Sequence, residues 1–222
     1  MTDSILWWGS GSVPCWRAML ALEEKRVKYD GRLISFDKNE TKGPDVMKYN
    51  PRGEVPTFVD GDVVVNESMA ICDYLEFKYN DQGNRLLPTD VKERAVVLQR
   101  QYEALNLFKK GLEQLIYELM EDSPDLQDQE TLKARLQVLS DELKLWEGYL
   151  QTSEGYIAGQ SFTMADVMFF PLVAFLVRLG LQLKKYPNIN KYYENLVTRP
   201  SVKATWPPHW VDSVGKDWLK DA

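Results

Sequence analysis

Ile5-Leu6-Trp7-Trp8-Gly9-Ser10-Gly11-Ser12-Val13-Pro14-Cys15 is the stretch that decides the fold, because a short apolar run passes through a hydroxyl-bearing turn straight into a helical pattern. Ile5 to Trp8 reads as a buried strand, and from Val13 onward Ala18, Met19, Ala21 and Leu22 recur at helical spacing. Pro14 then falls in the first helical turn, where its missing N–H costs nothing. Ser12 stands beside the unsatisfied N–H groups and the positive dipole end of that helix, a place that favours a bound anion. Serine is also an ordinary N-cap, so these residues alone leave both roles open.

Outward from this start, the first 80 or so residues alternate strand and helix signals. Strands are predicted at Ser4 to Trp8, near Tyr29 to Ile34, at Thr57 to Val59 and at Val63 to Val65, with helices from Val13, near Pro44 to Tyr49 and from Glu67. Asp60-Gly61-Asp62 supplies the hairpin between the last two strands. Asn80 to Arg85 is polar and rich in turn formers, and Leu86-Leu87-Pro88 closes it as a linker. Beyond it the patterns are helical: Asp90 to Glu121 with Val97, Leu105, Phe108 and Leu112, then Glu130 to Leu150 with Leu139, Leu143 and Trp146. A third helix opens at Phe162-Thr163-Met164-Ala165-Asp166-Val167, where Thr163 caps, Asp166 reaches back and Phe162 staples onto Val167. The boundaries are 1–82 for a mixed domain, 83–90 for a linker and 91–222 for an all-helical domain.

Composition bounds the function. A chain of 222 residues with 44% hydrophobic content buries a sizeable core, and a formal charge of −6 without a basic stripe opposes a nucleic-acid partner. Cys15 and Cys72 are too few for a disulfide framework, which suits a reducing, cytoplasmic compartment. The start of the chain lacks a basic region with a long apolar run, and no segment reaches the roughly 18 to 20 apolar residues of a membrane span. His209, the one histidine, removes most Ser-His-Asp, Cys-His and zinc sites, and no metal site is expected. It lies in Trp206-Pro207-Pro208-His209-Trp210, which reads as a packed tail.

Two segments together carry a family likeness: Ser10 to Cys15, and Asn50-Pro51-Arg52-Gly53-Glu54-Val55-Pro56 followed by Asn66-Glu67-Ser68. With them the chain resembles the glutathione transferase family, in its serine-type theta, delta and phi patterns, with a rho-like class the one suspected. The resemblance implies an α+β, thioredoxin-like first domain of βαβ then ββα order and an all-α second domain. It implies glutathione as co-substrate, no permanently bound cofactor, conjugation of the thiolate to small hydrophobic electrophiles, and a homodimer in which Tyr49 is an aromatic key. Ser12 would face the glutathione sulfur, with Ser10 as the fallback hydroxyl. Val55, preceding a cis Pro56, would hold the cysteinyl part, Glu67 and Ser68 the γ-glutamyl end, and Lys42 the glycyl carboxylate. Glu54 stands in the binding segment where phi-type sequences have Gln. Gly53 stands where delta-type sequences have a histidine, so Lys42 carries more of that end. Val13, Tyr102, Leu105, Phe108 and Trp210 are the candidates for the electrophile site.

Cys15 is expected to be buried, the alternative being a glutaredoxin-like or omega-like nucleophile, and Cys72 reads as core. The competing functions are a zeta-like isomerase, suggested by Cys15-Trp16-Arg17, and a non-catalytic ligand-binding or structural protein of this fold. Ser12, Val55-Pro56 and Glu67-Ser68 together speak against a mere scaffold.

Overall fold

Apolar residues on all sides make a helix a core element, and the helix after Ser12 is one. In a computed structural model, which describes residues 3–107, 115–116, 119, 129–220 and 222, β1 (Ser4–Gly9) leads through the turn into α1 (Val13–Glu24). Cys15, Ala18, Leu20, Ala21 and Leu22 of α1 are wholly buried. β2 (Asp30–Ile34), a 3-10 turn (Glu40–Lys42), α2 (Pro44–Met47), β3 (Thr57–Asp60), β4 (Val63–Asn66) and α3 (Ser68–Lys78) follow. β2 begins at Asp30, one residue later than expected, and α2 stops at Met47, short of the expected Tyr49. The mixed sheet runs β2-β1-β3-β4, with β1 parallel to β2 and antiparallel to β3, and β3 antiparallel to β4. This is the thioredoxin-like βαβ-ββα order read from the pattern.

Among the described residues no strand follows β4. The helices beyond it are α4 (Val91–Leu107), α5 (Gln129–Thr152), α6 (Met164–Arg178), α7 (Pro187–Leu196) and α8 (Pro200–Thr205). Phe108, Leu112 and the stop expected near Glu121 lie outside the described residues.

The chain divides into two compact units, Met1–Leu87 with Arg199–Val214, and Pro88–Thr198 with Gly215–Ala222. The sequence assigns residues 199–214 to the helical domain, whereas in the structure this segment groups with the first unit. The reason is a set of contacts to α1. Arg199 pairs with Glu24, the Trp16 indole donates to Thr205 Oγ1 at 2.8 Å, and Trp206 and Trp210 meet the Trp16 ring edge-on. The end of the first unit is fastened by Glu76, whose buried carboxylate accepts from Lys25 Nζ and from the N–H groups of Leu86 and Leu87.

In the second unit α4 and α5 pack on α6 and α7 respectively. Trp146 of α5 stacks on Phe169 of α6 with ring centroids 3.9 Å apart. The first turn of α6 has the expected box: the Asp166 carboxylate accepts from Thr163 N at 2.8 Å, Thr163 Oγ1 at 3.1 Å and Ile157 N at 3.0 Å. Asp166 is wholly buried, and burial lifts its carboxyl from the ordinary 3.8 to about 6, the donated hydrogen bonds limiting the rise. A carboxyl raised on folding favours the folded state below its unfolded value, and that advantage is lost as pH rises to the folded value. The unfolding free energy of the protein relative to Asp166→Asn is therefore expected to fall by roughly 3 kcal/mol as pH rises through this interval. Urea unfolding of both proteins across the interval checks it; a difference that stays flat or grows contradicts it.

Candidate functional site

Strand register brings the candidate residues to one edge of the sheet. Trp7 of β1 pairs with Thr57 of β3, and Thr57 pairs with Asn66 of β4, so the end of β1, the start of β3 and the end of β4 lie together. Ser10–Ser12, Val55–Pro56 and Glu67–Ser68 are the chain immediately beyond those three points. Gly9 pairs with Ile34 at the end of β2, which sends the following loop toward the same edge and carries Lys42 with it.

At the first of these points Gly11, at φ +79, makes the turn, and the Ser12 N–H donates to the Gly9 carbonyl at 3.2 Å. Ser12 is the N-cap of α1, extended at φ −70 and ψ 116, and its Oγ accepts from Cys15 N at 3.4 Å. One lone pair is used this way, and the hydroxyl proton remains available for an acceptor. Cys15 sits beneath, with its Sγ accepting from Gly9 N at 3.4 Å. Burial pushes its thiol up to about 11 against the lowering effect of Ser12 and Gly9, so at neutral pH it is an uncharged packing group. Burial likewise raises the Cys72 thiol.

The segment before β3 is organised by Asn50, a residue whose place before Pro51 marks it in sequence only as a turn former. Its buried side-chain amide donates to Glu54 O at 2.9 Å and Thr57 Oγ1 at 3.3 Å, and its Oδ1 accepts from Arg52 N at 3.1 Å. Thr57 Oγ1 donates to the same Glu54 carbonyl at 2.9 Å. The Glu54 backbone is thus fixed while its side chain is exposed, Val55 is half-buried, and the Val55–Pro56 bond is cis. Lys42 donates from Nζ to Arg52 O at 2.6 Å. Its stem crosses Gly53, where a Cβ would lie 2.6 Å from Lys42 Cδ and 2.9 Å from Met47 Sδ.

At the third point Glu67 holds φ +71 and ψ 122, a conformation L-residues rarely adopt. Its side chain is exposed and makes no capping bond to α3, while Ser68 begins that helix and is buried.

The described electrophile-site candidates fall in both units. Val13 is buried, and Trp210 is buried against Trp16 and Trp206. On α4, in the other unit, Tyr102 is exposed and Leu105 half-buried. Phe108 is outside the described residues. The first unit itself has an open cleft of about 540 Å³, lined by Ser10, Leu33, Ile34, Phe36 and His209 among others.

A thioredoxin-like sheet with a serine-capped α1 and a helical second domain places the molecule in a recognisable class. Residues 11–77 match the family model "Glutathione S-transferase, N-terminal domain", and residues 113–200 match "Glutathione S-transferase, C-terminal domain". The chain is 47% identical to glutathione S-transferase A of Pleuronectes platessa, over 99% of this chain and 98% of that protein. A crystal structure of a glutathione S-transferase from the Antarctic clam Laternula elliptica superimposes with a TM-score of 0.92 at 46% identity, covering 99% of each chain. A delta-class glutathione transferase of Nilaparvata lugens gives a TM-score of 0.79 at 30% identity, with 91% and 92% covered. The chain belongs to the glutathione S-transferase family.

Gly53, at φ +58 and with the Lys42 stem against it, is a position where the site's backbone resists a side chain. Gly53→Ala is expected to cost about 1–2 kcal/mol of stability from the left-handed backbone alone. Lys42→Ala, removing an exposed side chain, is expected to cost less than about 0.5 kcal/mol. Chemical denaturation of the two variants checks the order, and the reverse order contradicts this account of the turn.

Proposed function

We propose that this protein is a glutathione transferase that holds glutathione as its thiolate at Ser12 and conjugates the sulfur to small hydrophobic electrophiles. The observation that carries the reading is the placement of Ser12, with its hydroxyl proton uncommitted at the N-terminus of a buried twelve-residue helix and the other candidate contacts at the same sheet edge. A free thiol with a pKa near 8.5 is only a few per cent ionised at neutral pH, and lowering it by about two units stabilises the anion by roughly 2.7 kcal/mol. A charge-assisted hydrogen bond from Ser12 and the helix dipole together supply that amount. Ser12 stays protonated throughout and acts as a donor.

The remaining residues hold the peptide. The Val55 backbone pairs with the cysteinyl unit, and the uncapped first turn of α3 with the Ser68 hydroxyl receives the γ-glutamyl carboxylate. Glu67 takes the amino group with its exposed carboxylate. Lys42 exchanges the Arg52 carbonyl for the glycyl carboxylate. Glu54 contributes by holding the backbone before Val55 in place, its carbonyl anchored by Asn50 and Thr57 while its side chain is exposed. Val13, Tyr102, Leu105, Phe108 and Trp210 remain the candidates around the electrophile.

Two further features complete the proposal. The protein works in the cytoplasm, which suits its two free cysteines, and among the described residues no helix is long and apolar enough to cross a membrane. It works as a homodimer, for which exposed Val64 and Phe77 in the first unit and Val91 and Val96 in the second offer apolar surface. Light scattering at micromolar concentration is expected to give twice the chain mass, and a monomer removes this part.

Ser12→Ala is expected to lower kcat/KM for a chlorodinitrobenzene-type electrophile roughly 10- to 100-fold at neutral pH, with much of the loss recovered under alkaline conditions. Its glutathione KM should change little, because the peptide contacts lie elsewhere. Ser10→Ala is expected to lack the alkaline displacement. A displaced profile in Ser10→Ala beside a wild-type profile in Ser12→Ala reverses the assignment of the two hydroxyls.

A further inference from the structure

Ser10 and His209 form a hydrogen-bonded pair of 2.5 Å between Oγ and Nδ1 that thiolate formation does not use. The histidine is brought there by segment 199–214, clamped along α1 by the Glu24–Arg199 pair, the Trp16–Thr205 bond and the Trp16, Trp206 and Trp210 rings. Its ring lies so close to the turn that a Cβ on Gly11 would be 2.8 Å from Cε1. Both residues line the cleft of about 540 Å³, whose apolar wall is Leu33, Ile34 and Phe36. The Phe36 ring is itself seated on Gly9, where a Cβ would approach it to 2.2 Å. An apolar wall therefore faces a hydroxyl–imidazole pair two residues from the proposed thiolate donor.

We propose that Ser10 and His209 deliver a proton to oxygen leaving groups, so that the electrophiles of this enzyme include benzylic aryl ethers, from which sulfur displaces a phenolate. The inference rests on the reading of Ser12 as the residue that holds the thiolate. A halide leaves as a weak base and needs no proton, whereas a phenolate is a much stronger base whose departure is speeded by an acid in the transition state. In this step the sulfur forms its bond to the benzylic carbon as the C–O bond breaks and its electron pair passes to oxygen. Ser10 gives its hydroxyl proton to that oxygen and takes one from Nδ1 of protonated His209. The products are the thioether, the neutral phenol and neutral His209, which solvent reprotonates.

Histidine is the side chain whose ordinary titration falls near neutral pH, which suits it to this exchange. The charged groups that share the cleft are Asp37, Lys38 and Glu40, all from the loop after β2, and the Glu40 carboxylate is engaged by Ser35 N at 2.7 Å. On its own segment, the Ser213 hydroxyl donates to the His209 carbonyl. Ser10 is the group that touches the leaving oxygen, and His209 acts through it.

The test compares 4-nitrobenzyl chloride with 4-nitrobenzyl aryl ethers of graded phenolate basicity, in wild type, His209→Asn, His209→Gln and Ser10→Ala. All three variants are expected to lose at least about 10-fold more kcat/KM with the ethers than with the chloride. The excess should grow with phenolate basicity, and ether turnover by wild type should fall at alkaline pH where chloride turnover does not. Equal losses on both substrates, no loss on either, or a wild type that turns over the chloride and none of the ethers overturns the proposal. A wild type inactive even with the chloride contradicts the transferase reading itself, so the two failures are distinct.

Discussion

The Glu24 carboxylate is the contact on which the geometry of the first unit depends. Its side chain is 2% exposed, and it accepts from Arg199 Nε and Nη2 at 2.6 and 2.7 Å, from Asn84 Nδ2 at 2.6 Å and from the Ser201 hydroxyl. Burial alone would push this carboxyl up, but the hydrogen bonds from Arg199, Ser201 and Asn84 outweigh it and hold it below the usual range. It is therefore charged at neutral pH and fully partnered, the condition under which a buried carboxylate is tolerable. Removing one partner from such a group costs about 3–5 kcal/mol, far more than the pair adds over an apolar substitute. Glu24 ends α1, the helix that Ser12 begins. One carboxylate thus fixes the core helix at its far end and draws residues 199–214 along its length.

This arrangement separates two sulfur environments by a single helical turn. Cys15, walled off from water, is held as a neutral thiol by desolvation. A substrate thiol outside Ser12 would meet the opposite conditions: water nearby, a hydroxyl donor and the positive end of the same helix. On the proposed role of Ser12 the protein would gain a thiolate without ionising its own cysteine. The four segments that would hold the peptide are all loops or helix starts, yet each is tied to a strand end, so their spacing is inherited from the sheet register.

What the sequence discloses and what it conceals follow from the range of the interactions. The strand–turn–helix start, the Asp60-Gly61-Asp62 hairpin and the Thr163–Asp166 box depend on neighbours within a few residues, so hydrophobic period and turn chemistry reveal them. Ser12, Val55-Pro56 and Glu67-Ser68 were visible through a family pattern, while their common edge is a matter of strand pairing. Asn50 was hidden because an Asn before Pro reads as a turn former, whatever its amide holds. The return of residues 199–214 to α1 rests on Glu24–Arg199, Trp16–Thr205 and Ser10–His209, partners 175 or more positions apart, and no local signal records such distances. His209 accordingly read as a packed tail, when it faces the turn that carries Ser12. The Lys42–Gly53 contact lies between these cases: the sequence shows a glycine in place of a histidine and so gives more weight to Lys42, while the passage of the lysine stem across that glycine is seen in the structure alone.

The central claim, that Ser12 converts a bound thiol to a thiolate while remaining protonated, is tested most directly by titrating the ultraviolet thiolate absorbance of glutathione bound to the wild-type protein and to Ser12→Ala. The account predicts an apparent pKa about two units below the free thiol in the wild type, rising by about one to two units in Ser12→Ala with glutathione still bound. The same thiol pKa in both proteins would contradict it.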